Sequence, residues 1–383
     1  MGVYPFMFSS ITDFEPVVSS IVAANLHEPY NWDEYASHFF PKALELTSRA
    51  TEAEKAGEKD KACELFLRAS AVYRIARFPT PRSPKQKEAW EEGKKVFYRG
   101  AAMLEFPITE VQVPHTHKAS NDIGDVVYIN KCLPPSATAS TPAPTVLIVT
   151  GLDGYRTELA VWQKGWAQKG VASVIVEIPG TGDSPAAPGD PESPDRVFSS
   201  LLDWMDGQKE LDSKRVVVWG FSTGGYYAIR LAHTHKERLL GVVSLGGGAH
   251  HMFEREWLEN VNKLEYPFDL AGSLAWKFGY GTDLEKFITE AGKFSLLTDG
   301  TLKKPCARLF LVNGNEDEIF PIDDMYVVLE NGGPKEARFV KGKKHMGEPD
   351  SFFIILTWIY GVLGIQGHWG PQMATLPSKP QYD

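Results

Sequence analysis

The sequence predicts an α/β fold: a mostly parallel sheet of about eight strands, preceded by a helical region and interrupted by a helical insertion. Three observations predict it. Short Val/Ile/Leu runs alternate with helical patterns through the later part of the chain. The apolar spacing changes near residue 100 from helical to strand-like. One apolar run, Val216 to Val218, leads without a break into Gly220-Phe221-Ser222-Thr223-Gly224 and then into a helical pattern.

The elements follow in order. Residues 31–57 carry apolar groups at three- and four-residue spacing, and Pro41 marks a break or a fresh helix start. Residues 59–78 form a second amphipathic helix, ended by Pro79 and Pro81, with Ala62, Leu65, Ala69, Val72, Tyr73 and Ala76 on one face. Residues 83–104 make a third. Two consecutive helices here have the look of a tetratricopeptide pair, but no further copy follows, and a solenoid needs several. From Glu105 the period is that of strands. Residues 108–116 and 125–133 alternate and are joined by a turn around Asn121-Asp122. Residues 136–144, rich in Ser, Thr, Pro and Ala, read as a surface loop. Six parallel-type strands follow at 145–151, 172–180, 215–221, 239–247, 307–314 and 337–342. The Trp- and Phe-rich stretch 248–304 breaks the rhythm between the fourth and fifth of these. The expected organisation is a helical cap or lid region over 1–103 and a core over 104–383 that carries an insertion at 248–304. The apolar segment 352–365 is too short to span a bilayer and reads as a buried helix.

Composition excludes several function classes. The net charge is −9, and Lys343-Lys344 is too small for a basic patch, which argues against nucleic acid. Cys63, Cys132 and Cys306 are scattered and without metal spacing; they read as reduced thiols. Ten histidines occur, yet neither H-E-x-x-H nor a Cys/His cluster does, so no metal and no cofactor are expected. The N-terminus lacks the charged start and apolar stretch of a signal peptide, and Phe6 stands where myristoylation needs Ser or Thr. A cytoplasmic protein is expected, with vesicle association left open.

The chemistry centres on Ser222. A serine raised on a sharp turn between a strand and a helix is the context in which G-x-S-x-G marks a nucleophile. Serine is weak alone and needs a base, which in turn needs an orienting acid. In an α/β-hydrolase these follow in the order Ser, Asp or Glu, His. Glu316, Asp317 and Glu318 compete for the acid position beyond a strand end, and the spacing from Gly314 to Pro321 favours Asp317. His345, after the last strand, is the expected base. His233 and His235 lie late in the nucleophile helix and point away from its start. His250 and His251 lie just past a strand, either lining the pocket or packing. The oxyanion needs two backbone donors. Thr223 supplies one; Leu152 or Asp153, in the loop Gly151-Leu152-Asp153-Gly154, supplies the other. The segment 179–185 has the Gly/Pro character of a strand-end loop and lacks the lysine of a phosphate loop. Tyr155, Phe253, Trp257, Trp276, Phe278 and Tyr280 offer aromatic surface for a flat substrate or for core packing.

Six stretches together carry a resemblance: VTGLDGYRTE, EIPGTGDSP, WGFSTGGYYA, SLGGGAHH, NGNEDEIFP and KGKKHMGEP. They resemble the fungal yellowish-green heptaketide hydrolases of melanin-type pigment pathways, and the likeness extends to SITDFEPVV and the early helices. The chain is also similar to bacterial 2,6-dihydroxypseudooxynicotine hydrolase. The resemblance implies an α/β-hydrolase that cuts a carbon–carbon bond in the β-diketone side chain of an aromatic polyketide, releasing acetoacetate or a similar fragment in secondary metabolism. It places Ser222, Asp317 and His345 on the family triad and Asp153 and Glu158 in its oxyanion-loop motif. It also implies a small-molecule substrate and a homodimer. The same residues suit a carboxylesterase or lactonase, or a release enzyme that transfers the acyl group to another acceptor.

Overall fold

The computed structural model describes residues 7–263, 266 and 268–376. The N-terminal position Phe6, which bears on acylation, lies outside them. The chain forms two compact units, one of residues up to 110 with 157–165 and the segment from 370, the other of 111–156 and 166–369.

The first unit is helical. Its elements are α1 (Glu15–Ala23), α2 (Trp32–Ser37), α3 (Phe40–Lys55), α4 (Lys59–Ala76) and α5 (Pro84–Ala101). Pro41 sits in the first turn of α3, where a missing N–H costs nothing, so it starts a fresh helix. The α4 face expected from spacing is buried throughout: Ala62, Leu65, Ala69, Val72, Tyr73 and Ala76. Helices α3 and α5 pack on either side of α4. A capping box between Ser83 and Gln86 fixes the start of α5.

The second unit is built on an eight-stranded sheet. The strands are β1 (Thr109–Pro114), β2 (Val126–Cys132), β3 (Ala143–Val149), β4 (Ala172–Val176), β5 (Leu211–Phe221), β6 (Gly241–Leu245), β7 (Leu309–Gly314) and β8 (Glu336–Val340), in the order β1-β2-β4-β3-β5-β6-β7-β8. Strand β2 runs antiparallel to β4, and β3 to β8 are parallel. Every residue of β4, β6 and β7 is buried, as a sheet covered on both faces requires. Strand β4 is shorter than the apolar run that predicts it, because Pro179 and the turn at Gly180 (φ 78°) follow it closely. Trp219 of β5 is fully buried with Phe221 at 4.4 Å between ring centres. Burying such a ring contributes about 2–3 kcal/mol.

The chain leaves β3 outward to β4 and returns to β5 on the other side of β3. The strand order therefore reverses between β3 and β5, which is where open α/β sheets bind ligands. The helices met along the chain between β3 and β6 are α6 (Arg156–Leu159), α7 (Gln163–Gln168), α8 (Ser193–Asp206) and α9 (Thr223–Thr234), of which residues 157–165 belong to the first unit. Helix α9 packs on β3, β5 and β6. Arg230 ties it to α8 with two bonds to Asp195, at 2.9 and 2.6 Å. The insertion holds α10 (Arg255–Asn260), α11 (Leu270–Lys277) and α12 (Leu284–Glu290) with short 3₁₀ turns between. After β7 and β8 come α13 (Asp323–Glu330) and α14 (Asp350–Leu363). Helix α14 is the apolar segment read as buried. It buries Ile355, Leu356, Ile359, Tyr360 and Leu363 along one face, packs on β5 to β8, and ends at Gly364 in the left-handed region. Among the described residues no helix is long and apolar enough to cross a membrane.

Candidate active site

Ser222 stands between β5 and α9 with φ 53° and ψ −125°, a strained conformation for a residue with a side chain. The glycines around it make the turn possible. A Cβ on Gly220 would lie 2.3 Å from the Gly224 carbonyl oxygen, and one on Gly224 would lie 2.3 Å from that of Thr150. Neither position accepts another residue. The Ser222 N–H donates to the Leu245 carbonyl at 2.7 Å, pinning the turn to the end of β6.

His345 occupies a 3₁₀ turn after β8, just before the left-handed Met346 (φ 63°). Its Nε2 is 2.9 Å from Ser222 Oγ, and its Nδ1 is 2.9 Å from Asp317 Oδ2. Three side chains far apart in sequence thus form one hydrogen-bonded chain. Of the three acids considered, Asp317 is the one that faces the imidazole. Its side chain is fully buried, whereas Glu318 is paired with Lys344 on the surface. The Asp317 carboxylate also accepts from Asn313 Nδ2 at 2.7 Å, from the Ile319 N–H at 2.7 Å and from the Phe320 N–H at 3.2 Å. Burial alone would push its pKa up; the charge of His345 and these hydrogen bonds outweigh that and hold it below the usual carboxylate value. The arrangement keeps an anion behind Nδ1, so Nε2 is free to take the Ser222 proton.

Asn313, which the sequence reading did not single out, bolts this arrangement together. Its Oδ1 accepts the N–H groups of Gly314 and Met346, both at 2.9 Å, while its amide donates to Asp317. One side chain thereby fixes the acid turn and the histidine turn to the end of β7.

Thr223 opens α9, so its N–H is among the first-turn donors that have no partner within the helix. The loop after β3 reaches the same place: a Cβ on Gly151 would lie 3.4 Å from Ser222 Cβ. Leu152 is buried, and the Asp153 carboxylate accepts from the Tyr266 hydroxyl at 2.7 Å. Arg156, fully buried, donates from Nη1 to both Glu177 oxygens at 2.8 Å and lies 2.7 Å from Asp183. This ion network braces the loop after β3 against residues 177–183, and no local pattern announces it.

The remaining candidates separate by environment. His233 and His235 lie at the far end of α9, bonded to the Lys304 carbonyl and to Ser199. Tyr155 is fully buried. Phe253 and Phe278 pack on each other and on Phe294 inside the insertion, so their rings form core rather than a pocket wall. Trp276 is half-buried, and Tyr280 donates to Glu290 at 2.7 Å. Trp257 is different. It stacks on Phe320 with ring centres 6.0 Å apart, and Phe320 meets the His345 ring edge-on at 5.5 Å. His250 and His251 occupy a turn beyond β6, bonded to Ser295 and Glu254.

Glu158 belongs to the helical unit. It is buried, accepts from Arg77 Nη2 at 2.8 Å and lies 3.7 Å from Arg74 Nε. Glu158→Gln leaves two buried guanidinium groups without their shared carboxylate, and stability is expected to fall by about 3–5 kcal/mol. Urea unfolding measures this. Reduced stability with unchanged kcat/KM would assign Glu158 to structure, and the reverse would assign it to substrate.

Sequence and fold comparisons agree on the class. The model of the esterase FrsA-like family matches residues 35–345, a span that includes Ser222, Asp317 and His345. The chain belongs to the FrsA-like esterase family. This FrsA-like chain is 25% identical over 300 residues to the esterase FrsA of Yersinia pestis (strain Pestoides F) and of Yersinia pseudotuberculosis (serotype O:1b, strain IP 31758). The match covers 76% of this chain and 65% of the length of those relatives. Among solved structures, 2,6-dihydroxy-pseudo-oxynicotine hydrolase superposes with a TM-score of 0.71 at 20% identity, over 95% of this chain and 96% of that one. AbyA5 gives 0.69 at 20% identity, over 96% and 98%. Likeness at that level shows the fold, which is that of the α/β-hydrolases.

Proposed function

We propose that this FrsA-like protein is a serine hydrolase that cleaves a carbon–carbon bond in the β-diketone side chain of an aromatic polyketide. The hydrogen-bonded chain from Ser222 through His345 to Asp317 supports serine-dependent hydrolysis. The motif resemblance to fungal heptaketide hydrolases supports the polyketide substrate, and the half-buried Trp257, stacked on the buried Phe320 that meets His345, offers its ring to a fused aromatic system.

In this mechanism Ser222 Oγ attacks the side-chain ketone while His345 Nε2 takes its proton. The tetrahedral oxyanion is held by the Thr223 N–H and by that of Leu152 or Asp153. Collapse breaks the carbon–carbon bond, and the electron pair leaves on carbon as a delocalised enolate or phenol-like anion. The His345 imidazolium returns the proton to it. Water, deprotonated by His345, then releases the acyl group from Ser222 as a carboxylic acid.

A second reading, a carboxylesterase or lactonase, is favoured by the family's esterase description. An ester leaving group needs no carbanion stabilisation, so the same side chains serve it. Incubating the protein with a naphthopyrone bearing a β-diketone side chain, and separately with short acyl esters, separates the two. The proposal expects a shortened aromatic product and acetoacetate by mass spectrometry. Fast ester turnover with an untouched polyketide would replace it with the esterase reading.

A further inference from the structure

The turn that follows β6 brings His250, His251 and Glu254 together, with one ligand-type atom from each within 4.8 Å of the others. We propose that these three residues form a binding site for a divalent transition-metal ion of the zinc type, distinct from the Ser222 chemistry.

Backbone geometry creates the cluster. Two consecutive turn bonds, Phe253 N–H to the His250 carbonyl and Glu254 N–H to that of His251, both at 3.0 Å, wind residues 250–254 into a 3₁₀ turn. Residues three apart eclipse in such a turn, which sets His251 directly over Glu254. The Asp324 carboxylate of α13 holds the turn by accepting the N–H groups of His250, His251 and Met252, at 2.5, 2.8 and 3.1 Å. The scaffold is therefore fixed while the ligand side chains remain reachable: His250 is 23% exposed, His251 32% and Glu254 50%.

The donor atoms suit a metal. His250 Nδ1 lies 2.7 Å from Ser295 Oγ. In the tautomer whose Nδ1–H donates to that hydroxyl, Nε2 carries the lone pair, and a hydrogen bond of this kind on the distal nitrogen orients metal-binding imidazoles. That Nε2 is 3.6 Å from Glu254 Oε1, and His251 Nδ1 is 2.8 Å from Glu254 Oε2. Tetrahedral zinc with nitrogen and oxygen ligands at about 2.0–2.1 Å separates them by about 3.3 Å. The first pair is already near that spacing, and the second opens to it by a small movement of the half-exposed Glu254. Two imidazoles and one carboxylate leave a fourth position for water.

The surrounding charge is favourable. The carboxylate of Glu254, beside His251, and that of Asp324, which holds the turn from below, make the field around the site acidic, which attracts a cation. Arg255, next in sequence to Glu254, is already paired with Glu259 and Glu285 at 2.9 and 2.7 Å. The H-H-x-x-E spacing differs from H-E-x-x-H and contains no cysteine, which is why the sequence reading expected no metal.

The test is titration of the full chain with Co²⁺, followed by visible absorption, with Zn²⁺ as competitor. The expected result is one equivalent bound, with ligand-field bands that Zn²⁺ abolishes. His251→Ala should remove binding, and Ser295→Ala should weaken it about 10- to 100-fold by freeing the His250 ring. Circular dichroism confirms that each variant is folded. Binding that survives in folded His251→Ala, or wild-type affinity weaker than about 0.1 mM, would overturn the proposal. The readout is metal binding, so the hydrolase reading stands or falls separately.

Discussion

Ser222→Ala is expected to lower kcat about a million-fold while leaving the fold intact. The size follows from what the hydroxyl does in the proposed reaction: without it there is no acyl-enzyme, and the donors at Thr223 and in the loop after β3 act only on an unassisted attack by water. The small structural cost follows from the surroundings. The turn is set by Gly220 and Gly224 and by the backbone bond from Ser222 to Leu245, none of which involves Oγ. Alanine accepts the same φ of 53° under the same strain, so melting temperatures should agree within a degree or two, about 0.5 kcal/mol. Steady-state kinetics on the best substrate, with thermal unfolding in parallel, checks both halves.

Asp317→Asn is expected to lower kcat about 10⁴-fold, and unlike the serine variant it should also cost stability. The carboxylate accepts from His345, Asn313, Ile319 and Phe320. An amide has one acceptor oxygen, so one of its ends must present N–H groups to a donor. If Ile319 and Phe320 keep the oxygen, the new NH₂ faces His345 and the Asn313 amide. The imidazole then turns its lone pair toward residue 317, and Nε2, now carrying hydrogen, no longer accepts from Ser222. The unsatisfied donors cost about 1–3 kcal/mol. The pH dependence has a definite sign. The Asp317 carboxyl is held below its usual 3.8 in the folded protein, so its contribution is complete above that pH and fades as pH falls through the lowered value. The difference in melting temperature between wild type and variant should therefore be constant near neutrality and shrink at strongly acidic pH.

Much of the second unit was readable because each part of it is a local pattern. Buried parallel strands are continuous apolar runs, and all six appear where those runs lie. The nucleophile turn is read from five adjacent residues. Asp317 is read from its distance to Gly314 and Pro321, which reflects the length of one loop. Interactions between distant segments are a different matter. Asn313 looks like any residue at a strand end, and its role exists only because the His345 turn folds over β7. The Arg156–Glu177 and Arg77–Glu158 pairs join residues 21 and 81 positions apart, and nothing in either neighbourhood names the partner. The helical unit shows the same limit. Its early helices follow from amphipathic spacing, but the return of 157–165 and of the segment from 370 to that unit has no periodic signal. The insertion was recognised by its aromatic content, yet composition does not say which rings face inward. Phe253 and Phe278 found each other and Phe294, whereas Trp257 found Phe320 beside His345.

The most direct measurement of the central claim, that Asp317 and His345 activate Ser222, is labelling with a fluorophosphonate followed by intact-mass analysis and peptide mapping. In such a reagent an activated serine oxygen attacks phosphorus and expels fluoride, whatever the natural substrate. The expected result is a single adduct on Ser222, absent in Ser222→Ala and formed far more slowly in Asp317→Asn. A folded wild-type protein that takes no label, or takes it at another residue, would contradict the account.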